Sequence, residues 1–238
     1  YFGWAMSKIE SNNARTQLEY LLDTFKDATE YGSILHVDPL DWGLLYEYTG
    51  SVEYPDQVSL DELDVEETKD ALRALVVQGA ILAQKYDVVV TNPPYMSSSN
   101  MGASLLKFIK KNYPEGKNDL FSAFMQKCLD LSEKNGFLSM ITMHSWMFLS
   151  RYQSLRLLIL NYCIENIMHL GTKAFDDIGG EVVQTSAFII KKTHLSDYVG
   201  RYEKLTELND TASKIQHFNN LDFSHYCHQK NYHYMVDN

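Results

Sequence analysis

Short apolar runs alternate along the chain with segments whose apolar residues recur at helical spacing. Strands that alternate with helices form a largely parallel sheet covered on both faces, so the pattern indicates an α/β fold. The runs are SILHV (33–37), DVVVT (87–91), GFLSMIT (136–142), IENIMHL (164–170), VVQTSAFIIKK (182–192) and GRYEKL (200–205).

The last long run, VVQTSAFIIKK, follows a connection of only ten residues, from Gly171 to Gly180. That length is short for a parallel crossover and indicates an antiparallel strand. We therefore predict that residues 88–90, 138–141 and 167–170 are neighbouring parallel strands. Residues 185–190 should run antiparallel to them.

Capping residues predict where the helices between these runs begin. Ser59 with Glu62, and Ser150 with Gln153, form two capping boxes in which each side chain satisfies a free amide of the first turn. The first helix should extend to about residue 85 and the second to about residue 161. A short helix is also expected over 210–218.

A further helix is predicted from Asp119, with Gly136 just past its end, where a C-cap glycine belongs. Residues 96–118, which precede it, form a polar insertion with glycines and a cluster of lysines.

Composition excludes some classes of protein. The 238 residues carry a net charge of −10, which argues against a purely electrostatic nucleic-acid binder but not against an enzyme with one basic groove. Three cysteines without metal-ligand spacing indicate a reduced, cytoplasmic protein, and no metal site is expected. No apolar run reaches the ~18 residues of a membrane span, and the first residues do not resemble a signal peptide. Because Met is not the first residue, we expect an excised piece of a longer protein.

Asn92, Pro93, Pro94 and Tyr95 directly follow the strand predicted at 87–91. Ligands of open α/β sheets bind at the carboxyl ends of the strands, so these four residues are the candidate catalytic site. The two prolines fix two φ angles and leave their carbonyl groups as acceptors on a stiff backbone.

The chemistry of these residues suits an exocyclic amine on a nucleobase. The side-chain oxygen of Asn92 and the carbonyl oxygen of Pro93 can accept both amine hydrogens. The nitrogen is thereby drawn toward tetrahedral geometry, and its lone pair becomes free to attack an electrophile. The ring of Tyr95 can stack on a base that has been flipped out of a duplex.

The stretch YDVVVTNPPY (86–95) resembles the catalytic motif of amino-methyltransferases that use S-adenosylmethionine, in the form typical of adenine-N6 DNA methyltransferases. Residues 111–150 and 167–190 are similar to the large adenine-specific methyltransferases of BREX phage-defence systems and to type IIG restriction–methylation enzymes. The resemblance implies a Rossmann-like methyltransferase fold, S-adenosylmethionine as cofactor and double-stranded DNA with a flipped adenine as substrate. It also implies defence-system proteins as further partners.

The same resemblance suggests residues for the cofactor pocket. Asp119, Leu120 and Phe121, in the stretch NDLFSAF, match the segment that lines this pocket, although a helix N-cap and two core residues would explain them equally well. Asp38 is a weaker candidate for the adenine ring of the cofactor. Its alternative is an Asp-Pro turn that ends a strand.

Two other segments are placed near the site by position or by resemblance. His144, Ser145 and Trp146 follow the strand at 136–142 and should lie at the same sheet edge, or they serve core packing and helix entry. Residues 179–184 resemble the late family motif near the target base, and the alternative is a flexible loop.

The Gly-rich turn with which this family binds its cofactor is absent ahead of Asn92. We therefore expect the first strands of the fold to be missing and cofactor binding by the chain alone to be weak. Residues 1–195 are assigned to the C-terminal part of the catalytic domain. Residues 196–238 are assigned to its end, or to a linker toward a target-recognition region.

Other functions remain open at this point. Pro55, Asp56, Glu67 and Lys69 match a degenerate nuclease pattern, but two of them lie two residues apart within a predicted helix and would not converge on a metal. Methylation of RNA bases or of protein glutamine uses the same four-residue motif. A non-catalytic DNA-binding or scaffold fragment is a third alternative.

Overall fold

The computed structural model describes residues 11–50, 60–172, 174, 183–208, 210–220 and 226–228. The chain divides into two compact units, residues 1–84 and residues 85–238. The described part of the first unit is helical, and the second unit is built on one mixed sheet. No helix in the described ranges has both the length and the apolar character needed to cross a bilayer.

The first unit packs its helices around a small apolar core. The side chain of Ser11 caps the first helix by accepting a hydrogen bond from the backbone N–H of Ala14 at 3.3 Å. Its helices in the described residues are α1 (Asn12–Thr24), α2 (Ala28–Tyr31), α3 (Trp42–Gly50) and α4 (Leu60–Ala83). The buried core residues are Ala14, Leu18, Leu21, Val37, Leu45 and Val76.

The strand predicted over 33–37 is wrong. Gly32–Ile34 forms a turn of 3-10 helix, and Val37 is buried among the helices of this unit. A five-residue apolar run can be buried by helix packing as well as by a sheet, and the described residues of this unit contain no strand for it to pair with. The helix predicted after residue 59 is confirmed as α4, while its capping box lies outside the described residues.

The second unit contains a six-stranded sheet in the order β1-β2-β4-β3-β5-β6. Parallel pairing joins β1 to β2 and β3 to β5, whereas β4 is antiparallel to both β2 and β3. The strands are β1 (Tyr86–Thr91), β2 (Ser132–Met143), β3 (Cys163–Gly171), β4 (Thr185–Lys191), β5 (Val199–Lys204) and β6 (Tyr226–His228). The helices are α5 (Ala103–Asn112), α6 (Leu120–Leu131), α7 (Gln153–Ile159) and α8 (Thr211–Asn219).

This order confirms the parallel pairing of β1 with β2 and the antiparallel direction of β4. The expectation that β3 neighbours β2 is wrong, because β4 lies between them. The short connection returns the chain to the open edge of β2, where β4 bonds to both strands.

The strand that leads to Asn92 lies at an edge of this sheet. Val88 and Val90 are 56% and 71% exposed, while Val89 packs against the core of the second unit. The expectation that the sheet is covered on both faces is therefore wrong for β1, although the strand itself lies where it was predicted.

Gly136 is not a helix C-cap, because α6 ends at Leu131 and β2 already begins at Ser132. A Cβ atom at position 136 would lie 2.8 Å from the carbonyl oxygen of Asp87. Glycine is required here because β1 and β2 approach closely at this point.

Two predictions about local structure differ from the fold. The insertion at 96–118 contains α5, whose Leu105 and Ile109 are buried one helical turn apart. The second capping box is wrong, because a 3-10 turn over Ser150–Tyr152 leads into α7 and no side chain caps that helix.

The core of the second unit lies between the strands β2, β3 and β4 and the helices α6 and α7. Trp146 is fully buried there, and its indole N–H donates to the hydroxyls of Thr142 (3.1 Å) and Ser186 (3.3 Å). Its ring meets Phe188 edge-on at 5.2 Å. Trp146 is thus a packing residue that ties β2 to β4.

Candidate active site at the carboxyl end of the edge strand

The four residues Asn92 to Tyr95 leave the sheet at the carboxyl end of β1. Thr91, the last residue of β1, pairs with Met140 of the parallel strand β2, so both strands end on the same side of the sheet. Asn92 and Pro94 are exposed, Pro93 is buried and Tyr95 is partly buried. One side of this short segment therefore faces solvent while the other is anchored in the protein.

The ring of Tyr95 is held by neighbouring aromatic side chains. It meets Phe121 edge-on, with ring centroids 6.2 Å apart and planes at 86°. Phe121 in turn lies 5.7 Å from the ring of Tyr152. Edge-to-face pairs of this kind are favourable beyond the area they bury, so they restrict the ring of Tyr95.

The Tyr95 hydroxyl connects the ring to Asn92. It donates a hydrogen bond to the Asn92 side-chain oxygen at 3.2 Å, and the carbonyl oxygen of Ile141 lies 3.5 Å away as a second acceptor. Burial raises the pKa of Tyr95, so the hydroxyl keeps its proton. An amide oxygen has two acceptor positions, and one of them on Asn92 remains available to a ligand.

Asp119 fastens the segment that follows Tyr95 to helix α6. Its Oδ1 atom accepts hydrogen bonds from the backbone N–H groups of Met96 (3.1 Å) and Phe121 (3.3 Å). The backbone N–H of Leu120 returns a bond to the carbonyl oxygen of Met96 at 2.9 Å. Ser122 completes a capping box by accepting from the Asp119 N–H at 3.1 Å. Asp119 is therefore both the N-cap of α6 and the anchor of the strand-end segment.

The carboxyl group of Asp119 is almost fully buried, and burial raises its pKa. The amides of Phe121, Met96 and Leu120 and the charge of Arg151 act in the opposite direction. Bonds between a carboxylate and backbone amides favour the ionised form, and they offset part of the burial penalty.

The predicted cofactor residues take different positions. Asp119, Leu120 and Phe121 lie beside the Asn92–Tyr95 segment, but all three are buried and serve as N-cap and core residues. Asp38 belongs to the first unit, where its Oδ2 atom and backbone N–H are both bonded to the hydroxyl of Tyr20, at 3.1 and 3.0 Å. The cofactor role of these residues stays a prediction.

A pair of histidines lies on the side of the sheet where the carboxyl ends of β2 and β3 meet. Nδ1 of His144, which follows β2, is 2.7 Å from Nε2 of His169, near the end of β3. Burial lowers the pKa of both rings, that of His169 to about 4, with His144 and Lys204 adding to the effect. Both rings are therefore neutral at pH 7, and one donates its N–H to the other. From the sequence only His144 was a candidate, because the two histidines are brought together by the strand order.

The other sequence candidates are placed as follows. The backbone N–H of His144 donates to the carbonyl oxygen of Gln184 at 3.0 Å, while residues 179–182 of the late motif lie outside the described residues. Pro55, Asp56 and the side chain of Glu67 also lie outside them. Across the described ranges, no three His, Cys, Asp or Glu side chains converge as a metal site.

Residues 7–175 match the Eco57I restriction-modification methylase family. The chain belongs to this family. That membership confirms the resemblance drawn from the motif at Asn92–Tyr95 and the assignment to the methyltransferase fold.

Two curated relatives are both named adenine-specific methyltransferases. The chain is 39% identical over 214 residues to the adenine-specific methyltransferase PglX of Lacticaseibacillus casei (strain Zhang). It is 35% identical over 222 residues to the adenine-specific methyltransferase BrxX of Escherichia coli O9:H4 (strain HS). These matches cover 89% and 92% of the chain but only 17% and 18% of the relatives, so the chain spans about a sixth of their length.

Among solved structures, the DrdV–DNA complex is similar to 91% of the chain at 15% identity and a TM-score of 0.48, over 26% of its own length. A nuclease-deletion mutant of the Type ISP restriction-modification enzyme LlaGI, in complex with a DNA substrate mimic, is similar to 87% of the chain. The identity is 13%, the TM-score is 0.48 and 22% of LlaGI is covered.

Proposed function

We propose that the chain forms the adenine-binding part of a DNA methyltransferase, which transfers a methyl group from S-adenosylmethionine to the N6 amine of adenine. The observation that supports this proposal is the Asn92–Tyr95 segment at the carboxyl end of β1, with the Asn92 side-chain oxygen held by the Tyr95 hydroxyl at 3.2 Å. The relatives' names and the family match agree with it.

The proposed chemistry begins with capture of the amine. The free acceptor position of the Asn92 oxygen and the carbonyl oxygen of Pro93 each take one N–H of the adenine amine. Because these bonds are best formed by a tetrahedral nitrogen, they are stronger near the transition state than in the planar ground state. The Tyr95 ring stacks on the flipped base, since a base inside the duplex is out of reach.

The methyl transfer itself requires no strong base. S-adenosylmethionine supplies an electrophilic methyl group on a sulfonium sulfur. The nitrogen lone pair forms the new N–C bond while the S–C electron pair stays on sulfur. The amine is then cationic and loses one of its two hydrogens as a proton to solvent, and the remaining N–H stays hydrogen-bonded to one of the two acceptors, Asn92 or Pro93.

The described residues fit the adenine side of this reaction better than the cofactor side. Asp119, Leu120 and Phe121 are buried and already engaged in capping and packing. We propose that these three residues hold the Asn92–Tyr95 segment in place through capping and packing. Asp119 is the one candidate among them for a direct cofactor contact. On the resemblance of residues 86–95, 111–150 and 167–190 to the adenine-specific enzymes of BREX systems, we further propose double-stranded DNA as substrate and defence-system proteins as partners.

The test is Asn92→Ala in the full-length protein. Losing one acceptor of this kind should slow methyl transfer by a factor of about 10² to 10³, by analogy with the loss of one oxyanion-hole donor. DNA affinity should change little, because Asn92 acts mainly near the transition state. Single-turnover methylation of duplex DNA measures the rate, and a filter-binding titration measures the affinity.

Asn100→Ala is the matched control, since Asn100 is an exposed asparagine, as Asn92 is, but lies in the insertion that follows the candidate site. RNA and a glutamine-containing peptide serve as alternative acceptors in parallel reactions. An Asn92→Ala protein that methylates adenine as fast as the wild type contradicts the proposal, and so does methylation of RNA or peptide in preference to DNA.

A further inference from the structure

Helix α5 carries a row of exposed lysines, and it lies in the insertion that directly follows the Asn92–Tyr95 segment in the chain. Lys107, Lys110 and Lys111 are spaced three and four residues apart, so they lie on one face of the helix. All three are exposed, as is Lys117 in the loop that follows. We call these four side chains the lysine face.

The charge of this segment is opposite to that of the chain. Residues 96–118 contain four lysines and one glutamate, a net charge of +3, whereas the whole chain carries −10. The remaining residues therefore carry −13. The glutamate, Glu115, accepts a hydrogen bond from Gln126 at 2.6 Å and so is engaged within the protein.

The lysines of this face make no ion pair within the described part of the chain. Ion pairs found there include His36 with Asp38, and Glu203 with both Arg201 and His217. A structural role at the helix C-terminus, where cations are favoured, would suit Lys110 and Lys111 in the last turn. It does not account for Lys107, or for Lys117 beyond the helix.

The insertion that carries the lysine face is anchored by buried residues of α5 and by hydrogen bonds at its two ends. Leu105 and Ile109 bury the opposite side of α5. The two ends of the insertion are joined by the bond from the Ser98 N–H to the Asn118 carbonyl oxygen at 3.1 Å, and by the bond from Met96 to Asp119. The insertion that carries α5 therefore begins and ends directly after the Asn92–Tyr95 segment.

We propose that the lysine face binds the phosphate backbone of DNA beside the flipped adenine, an inference that rests on the proposed function. Contacts to phosphates position a protein on the duplex and supply affinity that is independent of base sequence. A chain that is otherwise strongly acidic repels DNA, so it needs a local cationic surface at the point of entry. The lysine face meets that need with exposed side chains on an insertion whose two ends are bonded together directly after the Asn92–Tyr95 segment.

The experiment compares salt dependence of DNA binding in full-length protein. The variant Lys107→Gln/Lys110→Gln/Lys111→Gln keeps helix propensity while removing three charges. Each lost phosphate contact lowers the slope of log affinity against log salt by about 0.9, so three contacts lower it by about 2.7. Between 50 and 200 mM salt, wild-type affinity should then fall about 40-fold more than that of the variant.

The variant Lys26→Gln/Lys134→Gln is the control, since both lysines are exposed and lie outside α5. The triple variant should weaken binding to cognate and non-cognate duplexes by the same factor, whereas the control should leave both affinities unchanged. An unchanged salt slope overturns the inference. So does a lowered melting temperature with an unchanged slope, which would mean that the lysines pair with acidic residues of the protein.

Failure of the proposed function gives a different result. A protein whose salt slope responds to the lysines but which transfers no methyl group to adenine would retain the DNA-binding surface and lose the assigned reaction. A protein that methylates adenine with an unaltered salt slope in the triple variant would retain the reaction and lose the surface.

Discussion

Asp119 is the residue whose replacement best tests how the site is held. Asp119→Ala removes the N-cap of α6 and the acceptor for the Met96 N–H in one step. Loss of the cap should cost about 1 kcal/mol, within the usual range of about 0.5–2. An amide left without its partner adds roughly 1–2 kcal/mol, because Met96 is only partly shielded from solvent.

Together these effects predict a loss of about 2–3 kcal/mol in the free energy of unfolding. For a unit of this size, each kcal/mol corresponds to about 2–4 °C, so the melting temperature should fall by about 4–12 °C. Methyl transfer should also slow, since Met96 adjoins Tyr95 and its release loosens the Asn92–Tyr95 segment.

Asp119→Asn separates the anchoring role from a charge contact with the cofactor. Asparagine is as good an N-cap as aspartate and keeps a side-chain oxygen for Met96 and Phe121, so the melting temperature should stay close to that of the wild type. If the carboxylate contacts S-adenosylmethionine, cofactor affinity in a calorimetric titration should fall in this variant. Unchanged affinity would assign Asp119 to anchoring alone.

Thermal melts of the wild type, Asp119→Ala and Asp119→Asn supply the comparison. The reasoning is refuted if Asp119→Ala melts at the wild-type temperature, or if Asp119→Asn is destabilised as much as Asp119→Ala.

The remaining predictions concern Tyr95 and the histidine pair. Tyr95→Ala should weaken capture of the flipped base by about 1–3 kcal/mol, measured by fluorescence of a 2-aminopurine at the target position. Tyr95→Phe keeps the ring and loses only the bond to Asn92, about 1 kcal/mol, so methylation should stay within tenfold of wild type, and a larger fall would mean that the hydroxyl matters more than the ring. The pKa of His169 is about 4 in the folded protein and ordinarily 6.5, so the unfolded state binds more protons between these two pH values. The free energy of unfolding therefore falls as the pH drops through that window, by about 2 kcal/mol at pH 5. His169→Gln should flatten this dependence in thermal melts from pH 5 to 7.5, and an equally steep curve would contradict the assignment.

Features that depend on neighbouring residues were predictable from the sequence. The strand at 86–91, the cap at Asp119 and the position of Asn92–Tyr95 at a strand end all follow from apolar runs, capping chemistry and turn residues within a few positions. Helix α5 was missed because Leu105 and Ile109 are embedded among glycines, serines and lysines, which suggested an irregular insertion.

Distant pairing was predictable only in part: the parallel pairing of β1 with β2 and the antiparallel direction of β4 were predicted, and the strand order was not. The placement of β4 between β2 and β3 is decided by hydrogen bonds between residues far apart in the chain. The contact between His144 and His169 follows from that placement, so neither residue carries a local signal of it. Exposure of Val88 and Val90 also depends on the strand order, because the sequence of an apolar strand does not show whether it lies at an edge or at the centre of a sheet.

The position of β4 has a consequence for the order in which the chain folds. Among the three central strands, the one in the middle is synthesised last, so β2 and β3 have no common neighbour until residue 191 has been made. Before then, β1 and β2 can pair through their own register but end in a bare edge that invites pairing with other chains. Because pairing between distant segments is slow, the joining of the two halves of the sheet by β4 should be the late step in the maturation of this unit. A nascent chain stalled before Thr185 would expose the unpaired edges of both β2 and β3. Folding of this unit therefore depends on the translation of residues 185–191.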